Sequence, residues 1–393
     1  MGAMTCGRSM TSCIKVTLCL LNIWVLCVVL VVALGHWRIF DTDLSFTRSF
    51  DDAHLVVMRE LKEEGSPKQA GPVSTPNKTV VTTATKSKSV VAAAAVPASP
   101  KQSPTQKEIA DRVDTMRQWC RRLRPHYVDP SVMPAERLSM IMVDRKHRLA
   151  FCQIPGVAQN DWRRIFIFLT GKVNASNHLQ ISAYDAHSKY GHLIQRLSDF
   201  PPAERKKILH ESTKLVFVRD PFERLLFTYQ NKFLAKYSKY FHETFGRRII
   251  QRYRKNATAQ ALKSGSDVTF NEFVRFVVDN EREATGLLNE HWERYYKLCQ
   301  PCAIQYDVVG KFESLVADTT EVLSRAGALK VLKPPYMADT LVNSEKVMNS
   351  FYQTVNPTDL KRLWKIYYPD YNLFSYPYPN VLKTVLRAAT NDY

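Results

Sequence analysis

The stretch FCQIPGVAQNDWRRI, Phe151 to Ile165, reads as a short apolar strand, a tight loop and the start of a helix. Arg148 to Ile154 supplies the strand. Beyond the loop, Trp162, Ile165, Phe166 and Leu169 recur at i, i+3, i+4 and i+7, the spacing of one helical face. Strand–loop–helix is a geometry that holds phosphate, because the N–H groups of the first helical turn point at the anion. This loop carries no lysine, and its first helical turn holds an acid, Asp161.

Further along, Lys214 to Val218 is an apolar run, Arg219-Asp220-Pro221 turns the chain, and Phe222, Leu225, Leu226, Tyr229 and Phe233 keep helical spacing. Pro221 stands in the first turn, where a helix tolerates it. Two such units predict an α/β fold, a P-loop-like parallel sheet flanked by helices. Ligands of such sheets bind outside the carboxyl ends of the strands, so both turns face the expected site. Ala303 to Val309 offers a third strand. Leu360, Leu363, Trp364 and Tyr367 mark one more amphipathic helix before an aromatic, proline-rich tail, YYPDYNLFSYPYP.

Ahead of this domain, Val16 to Leu34 is apolar and uncharged, long enough to cross a bilayer as a helix. Arg8 and Lys15 precede it and Asp41, Asp43, Asp51 and Asp52 follow, an asymmetry that leaves the short N-terminus in the cytoplasm. The rival reading is a signal peptide cleaved near Ala33-Leu34-Gly35, but the apolar run exceeds an ordinary signal core. Between Gly65 and Lys107 the chain is largely Ser, Thr, Pro, Ala and Lys, too poor in apolar side chains to offset its ordering entropy. The expected order is therefore a cytoplasmic tail (1–15), a transmembrane anchor (16–34), a disordered luminal stalk (35–118) and a luminal domain (119–393). Asn77, Asn174 and Asn256 each head an Asn-x-Ser/Thr acceptor for N-glycosylation.

Outside the tail and anchor stand four cysteines, Cys120, Cys152, Cys299 and Cys302. In an oxidising lumen they read as two disulfides, with three pairings open. Cys299-Gln300-Pro301-Cys302 could be half a zinc site, but no second ligand pair stands at suitable spacing, and no metal is expected. The 393-residue chain carries a net charge of +18, with basic clusters at Arg121, Arg122, Arg124; Arg205, Lys206, Lys207; and Arg247, Arg248, Arg252, Arg254, Lys255. A solvated surface is the bland account of such runs. In a lumen nucleic acid is not the partner, and an anionic polysaccharide is the natural one.

At its two turns the sequence resembles the Golgi carbohydrate sulfotransferases of the chondroitin and dermatan 4-O-sulfotransferase family. The likeness runs from about Val143 to Tyr376. It rests on FVRDPFERL (Phe217 to Leu225), RKNATAQAL (Arg254 to Leu262), NEHWERYYKLCQPCAIQYDVVGKFESL (Asn289 to Leu315) and IYYPDYNLFSY (Ile366 to Tyr376). Within the family, RKNAT and the EHW…LCQPC block look like the chondroitin 4-O-sulfotransferases. The resemblance implies a donor, 3′-phosphoadenosine 5′-phosphosulfate (PAPS), and a glycosaminoglycan acceptor. Anchor and stalk suit the family's type II membrane architecture, and homo- or hetero-oligomers remain open.

The resemblance also places the donor. The family's 5′-phosphosulfate loop falls on Pro155, Gly156, Val157, Ala158, Gln159, Asn160, Asp161 and Trp162. Its 3′-phosphate segment falls on Arg219, Asp220, Pro221, Phe222, Glu223, Arg224, Leu225, Leu226 and Phe227, ending at Tyr229. A lysine in the first loop would offset charge developing on the bridging oxygen, and an arginine and a serine in the second would hold the 3′-phosphate. Here Gly156 replaces that lysine, Gln159-Asn160-Asp161 replaces Cys-Thr-Asn, and Phe227 replaces the serine. Arg163 and Arg164, one turn on, are the nearest cations that could compensate. Arg219 and Arg224 could instead pair with Asp220 and Glu223. His291 and Glu313 are the candidates for a general base.

Two function classes follow: a PAPS-dependent carbohydrate sulfotransferase, or a member of that fold without turnover that binds glycan or partners an active relative. A P-loop kinase is disfavoured, since no G-x-x-x-x-G-K-[ST] loop occurs.

Overall fold

The computed structural model describes residues 103–123, 129–235, 239–283, 288–333 and 345–384. Of two compact units in the chain, residues 86–122 and 126–393 form the one that holds all of these except Leu123. The tail, the anchor, residues 35–102 of the stalk and Asn77 lie outside the described residues. Among those described, no helix is long and apolar enough to cross a membrane.

The elements are α1 (Pro104–Leu123), β1 (Ile141–Asp144), β2 (Leu149–Cys152), α2 (Gln159–Leu169), α3 (Ala183–His187), β3 (Gln195–Arg196), α4 (Pro202–Glu211), β4 (Thr213–Val218) and α5 (Pro221–Tyr229). They continue with α6 (Arg247–Tyr253), α7 (Ala259–Ser264), α8 (Phe270–Glu283), α9 (Tyr295–Cys299), β5 (Val308–Lys311), α10 (Leu315–Arg325), α11 (Glu345–Tyr352) and α12 (Pro357–Leu373). Five strands form one sheet in the order β3-β1-β2-β4-β5.

The expected parallel sheet is mixed. β2, β4 and β5 run parallel, but β1 pairs antiparallel with both β2 and β3. Only residues 145–148 join β1 to β2, too few for the crossover that parallel strands need. Asp144 Oδ1 accepts from the N–H groups of Lys146 and His147 and closes that hairpin. The third parallel strand also lies later than the expected Ala303–Val309. Pro301 opens a helical turn through Ile304 instead, and Val308 and Val309 then pair with Leu215 and Val216. Gly310 lies opposite Phe217, where a β-carbon would run into the ring.

The stalk boundary expected at Trp119 falls inside α1. Ile109, Val113, Met116 and Cys120 bury one face of that helix, and Arg112 ion-pairs with buried Asp318 of α10 at 2.6 Å. The tail expected after Tyr367 is helical instead: α12 continues to Leu373 with Pro369 inside it. Its next residue, buried Asp370, accepts the N–H groups of Tyr295 and Tyr296 and so docks α9.

Both expected disulfides are present, pairing Cys120 with Cys302 and Cys152 with Cys299. The second ties the end of β2 to α9. Above the sheet, Trp162 stacks on Phe151 at 5.0 Å and lies 5.3 Å from Phe217, locking α2 against β2 and β4.

Candidate functional site

β2 ends at Cys152 and the chain turns through Pro155 to Ala158 before α2 begins. Gly156 takes φ +84° and Ala158 φ +48°, two left-handed residues separated by one. Val157 N–H donates to Ile154 O at 3.1 Å, fixing the turn. Ala158 is the N-cap of α2 and makes no side-chain hydrogen bond there, while Asp161 stands in the first turn.

The side chains around this loop are committed to one another. Asp161 is buried and pairs with Arg164 at 2.9 Å, while Arg164 Nε donates to Ile181 O. Arg163, also buried, donates to Gln153 Oε1 at 3.1 Å and to Ala186 O at 3.2 Å. Neither arginine therefore stands in for the missing lysine. Gln159 reaches Gln153 at 3.4 Å, and Asn160 Oδ1 lies 2.9 Å from His187 Nε2.

The second turn leaves β4 at Val218 and enters α5. Asp220 is the N-cap, accepting from the N–H groups of Phe222 and Glu223 and from Tyr371 Oη at 2.8 Å. Burial pushes its carboxyl up to about 6 despite those bonds. Arg219 is fully enclosed: its guanidinium pairs with Glu223 at 2.6 Å and lies over the rings of Phe312 (4.2 Å) and Phe227 (5.0 Å). Its pairing with Glu223 is the structural alternative that the sequence left open.

Arg224 does something the sequence did not disclose. Its Nε donates to Pro155 O at 2.9 Å, Nη1 to Glu293 O at 2.6 Å and Nη2 to Glu290 O at 2.7 Å. It therefore binds three backbone carbonyls and staples the first turn to the 290s segment. Phe222, Leu225 and Leu226 are buried in the core, with Phe222 stacked on Tyr352 at 5.2 Å. They shape the second turn and lie within the packing.

The two departures from the family pattern meet. A β-carbon on Gly156 would lie 3.2 Å from Phe227 Cδ1 and 3.5 Å from Arg224 Cγ. The structure thus brings Pro155, Gly156, Arg219, Glu223, Arg224 and Phe227 into one constellation. Thr228 does not supply the lost serine hydroxyl, because its Oγ1 donates to His291 O at 3.0 Å.

Of the two base candidates, His291 Nδ1 lies 2.9 Å from Asn289 Oδ1 and its ring 4.9 Å from Phe241. Burial, with Lys232 and Arg224 nearby, pulls the imidazole down to about 3, leaving it a feeble base. Glu313 accepts from Tyr376 Oη at 2.9 Å and from Asp220 N–H at 3.4 Å. His187 gives no signal in the sequence, where it stands in a short polar segment without periodic pattern. It stands at the loop mouth on Asn160, and burial, Arg163, Lys232 and Arg196 pull its pKa below the ordinary imidazole value.

Other expected features divide. Asn174 and Asn256 are exposed in turns. Arg205 is buried on three backbone carbonyls, and Arg254 pairs with Glu272 and Asp267, so two members of the basic clusters are structural. An open cavity of about 440 Å³ gathers Lys239, Arg247 and Lys263 around Glu243 and two serines. Among the described residues, no group of histidine, cysteine and acidic side chains is arranged to hold a metal.

A mixed sheet with strand–turn–helix units at the ends of adjacent parallel strands, and helices packed on it, defines an α/β protein. The chain belongs to the sulfotransferase family, which matches residues 139–377. Carbohydrate sulfotransferase 11 of Mus musculus is 38% identical over 252 residues, 64% of this chain and 71% of the mouse protein. Carbohydrate sulfotransferase 14 of Danio rerio is 37% identical over 281 residues, 70% of this chain and 72% of its own. For carbohydrate sulfotransferase 9 of Homo sapiens the figures are 37% over 246 residues, 62% and 54%. No solved structure matches the chain.

Proposed function

We propose that this protein is a carbohydrate sulfotransferase that moves a sulfuryl group to a hydroxyl of a glycosaminoglycan such as chondroitin, acting as a type II Golgi membrane protein. The observation that carries the reading is the Pro155–Ala158 turn, a left-handed backbone cradle leading into a helix with no side-chain cap. That backbone fits the sulfated end of PAPS, which when bound supplies an activated sulfuryl group. The side chains of the second turn do not fit its 3′-phosphate as folded, since Arg219 is enclosed.

The chain's own part of the chemistry lies at the first turn. Gly156 lets the backbone come close to an anion. His187 Nε2–H donates to Asn160 Oδ1, which leaves Nδ1 as the basic nitrogen to hold the acceptor hydroxyl's proton. His187 stands at the loop mouth, whereas His291 is pulled down to about 3 and Glu313 is engaged by Tyr376 Oη. Exposed Lys206, Lys207, Arg248 and Lys255, with the Lys239–Arg247–Lys263 cavity, favour a polyanionic acceptor.

A second reading has one observation behind it. The Phe227 ring that covers Arg219 and abuts Gly156 favours a glycan-binding member of the fold without turnover. Expression of the full chain in cells, followed by mass analysis of their chondroitin disaccharides, separates the two. Added sulfate that disappears with His187→Asn is expected of the enzyme, and unchanged sulfation is expected of the binding protein.

A further inference from the structure

We infer that Phe227, seated against Gly156, makes this protein indifferent to the 3′-phosphate of its nucleotide. The inference rests on the sulfotransferase reading for the nature of the ligand, an adenosine nucleotide. It concerns selectivity between two nucleotides that differ by one phosphate.

A 3′-phosphate is read by donors that reach within about 2.7–2.9 Å of its oxygens. Arg219 has no exposed surface from which to do so. One end of its guanidinium is taken by Glu223 at 2.6 Å, and its faces are covered by Phe312 and Phe227. Glu223 and Phe227 are one turn apart on α5, so salt bridge and ring form one continuous cover.

The cover is held from the other side by the first loop. A side chain at position 156 would press on the ring, the β-carbon alone coming within 3.2 Å of Phe227 Cδ1, and glycine leaves that space to the phenyl group. Gly156 and Phe227 are therefore a matched pair. A phenyl ring offers a phosphate no hydrogen bond, and the hydroxyl of Thr228 is turned to His291 O. Neither donor that would distinguish a 3′-phosphate is presented at the second turn.

The test is binding of adenosine 3′,5′-bisphosphate and adenosine 5′-monophosphate by calorimetry to the detergent-solubilised full chain, its Phe227→Ser variant and a Phe227→Ala variant. Two variants guard against loss of folding, which circular dichroism reports. The native chain should bind the two nucleotides within about threefold of each other. Each folded variant should prefer the bisphosphate by about tenfold or more, the worth of a charge-assisted hydrogen bond. If the native chain binds neither nucleotide, the inference falls, since it concerns a bound nucleotide, and the sulfotransferase reading loses its donor. A native preference of about tenfold for the bisphosphate, also the scale of one such bond, overturns the inference and leaves that reading standing. Folded variants without preference overturn it too.

Discussion

Arg224 decides more of the site's architecture than any residue that would touch a ligand. Its three donors each meet a backbone carbonyl, one from the first turn and two from the 290s segment, in a buried setting. Net hydrogen bonds to charged groups contribute about 1.5–3 kcal/mol each, and orphaned carbonyls cost more. Arg224→Ala should lower unfolding free energy by about 3 kcal/mol or more in a urea titration, on the same scale. A loss within experimental error would show the staple to be dispensable. Asp370 makes a second residue-level prediction. Burial raises its carboxyl to about 7 from 3.8, so the folded state binds its proton more tightly than the unfolded chain. Its contribution favours folding at low pH and is lost as pH rises from about 4 towards 7. His291, pulled down to about 3, works the other way, losing stability as pH falls below its unfolded value. The native melting temperature should therefore fall between pH 5.5 and 8 by more than that of Asp370→Asn. Equal slopes would remove Asp370 from the account.

At the scale of elements, the disulfides hold the site's frame. Cys152–Cys299 fixes the end of β2, where the cradle begins, against α9, whose N–H groups rest on Asp370. Removing a native disulfide typically costs about 2–5 kcal/mol. Cys120→Ser with Cys302→Ser should lower thermal stability by an amount in that range while leaving the cradle folded, because that pair secures α1 and not the turn. Gly310→Ala should also destabilise the protein, by about 1–3 kcal/mol, through its encounter with the Phe217 ring. The strand–turn–helix units were legible because apolar spacing and a proline at N1 act locally. The antiparallel β1 and the late start of β5 were not, since loop length and Pro301 chemistry override an apolar run. The helix through Pro369 escaped the sequence because its support is the distant α9. In the site, the positions of both turns could be read from motif. That Arg224 would grip carbonyls, and that Phe227 would lie on Gly156, depends on contacts across 69 and 71 positions that no local pattern carries.

For the whole molecule, the described residues form an α/β sulfotransferase-family domain in which Gly156 and Ala158 turn the first loop and Arg219 of the second is enclosed. Among the described residues, Arg205, Arg219 and Arg224 are buried in the fold, while Lys206, Lys207, Arg248 and Lys255 are exposed. Binding to chondroitin should therefore weaken as salt rises, since exposed charges are screened over a Debye length of about 8 Å at physiological ionic strength. The measurement that tests the central claim most directly is transfer of radiolabelled sulfate from PAPS to unsulfated chondroitin by the purified full chain, beside its His187→Asn variant. The account predicts labelled polymer from the native protein and a rate lower by about 10²–10⁴ in the variant, the usual worth of a positioned base. No label from the native chain, while its Gly156→Lys, Asp161→Asn, Phe227→Ser variant transfers sulfate, would contradict it.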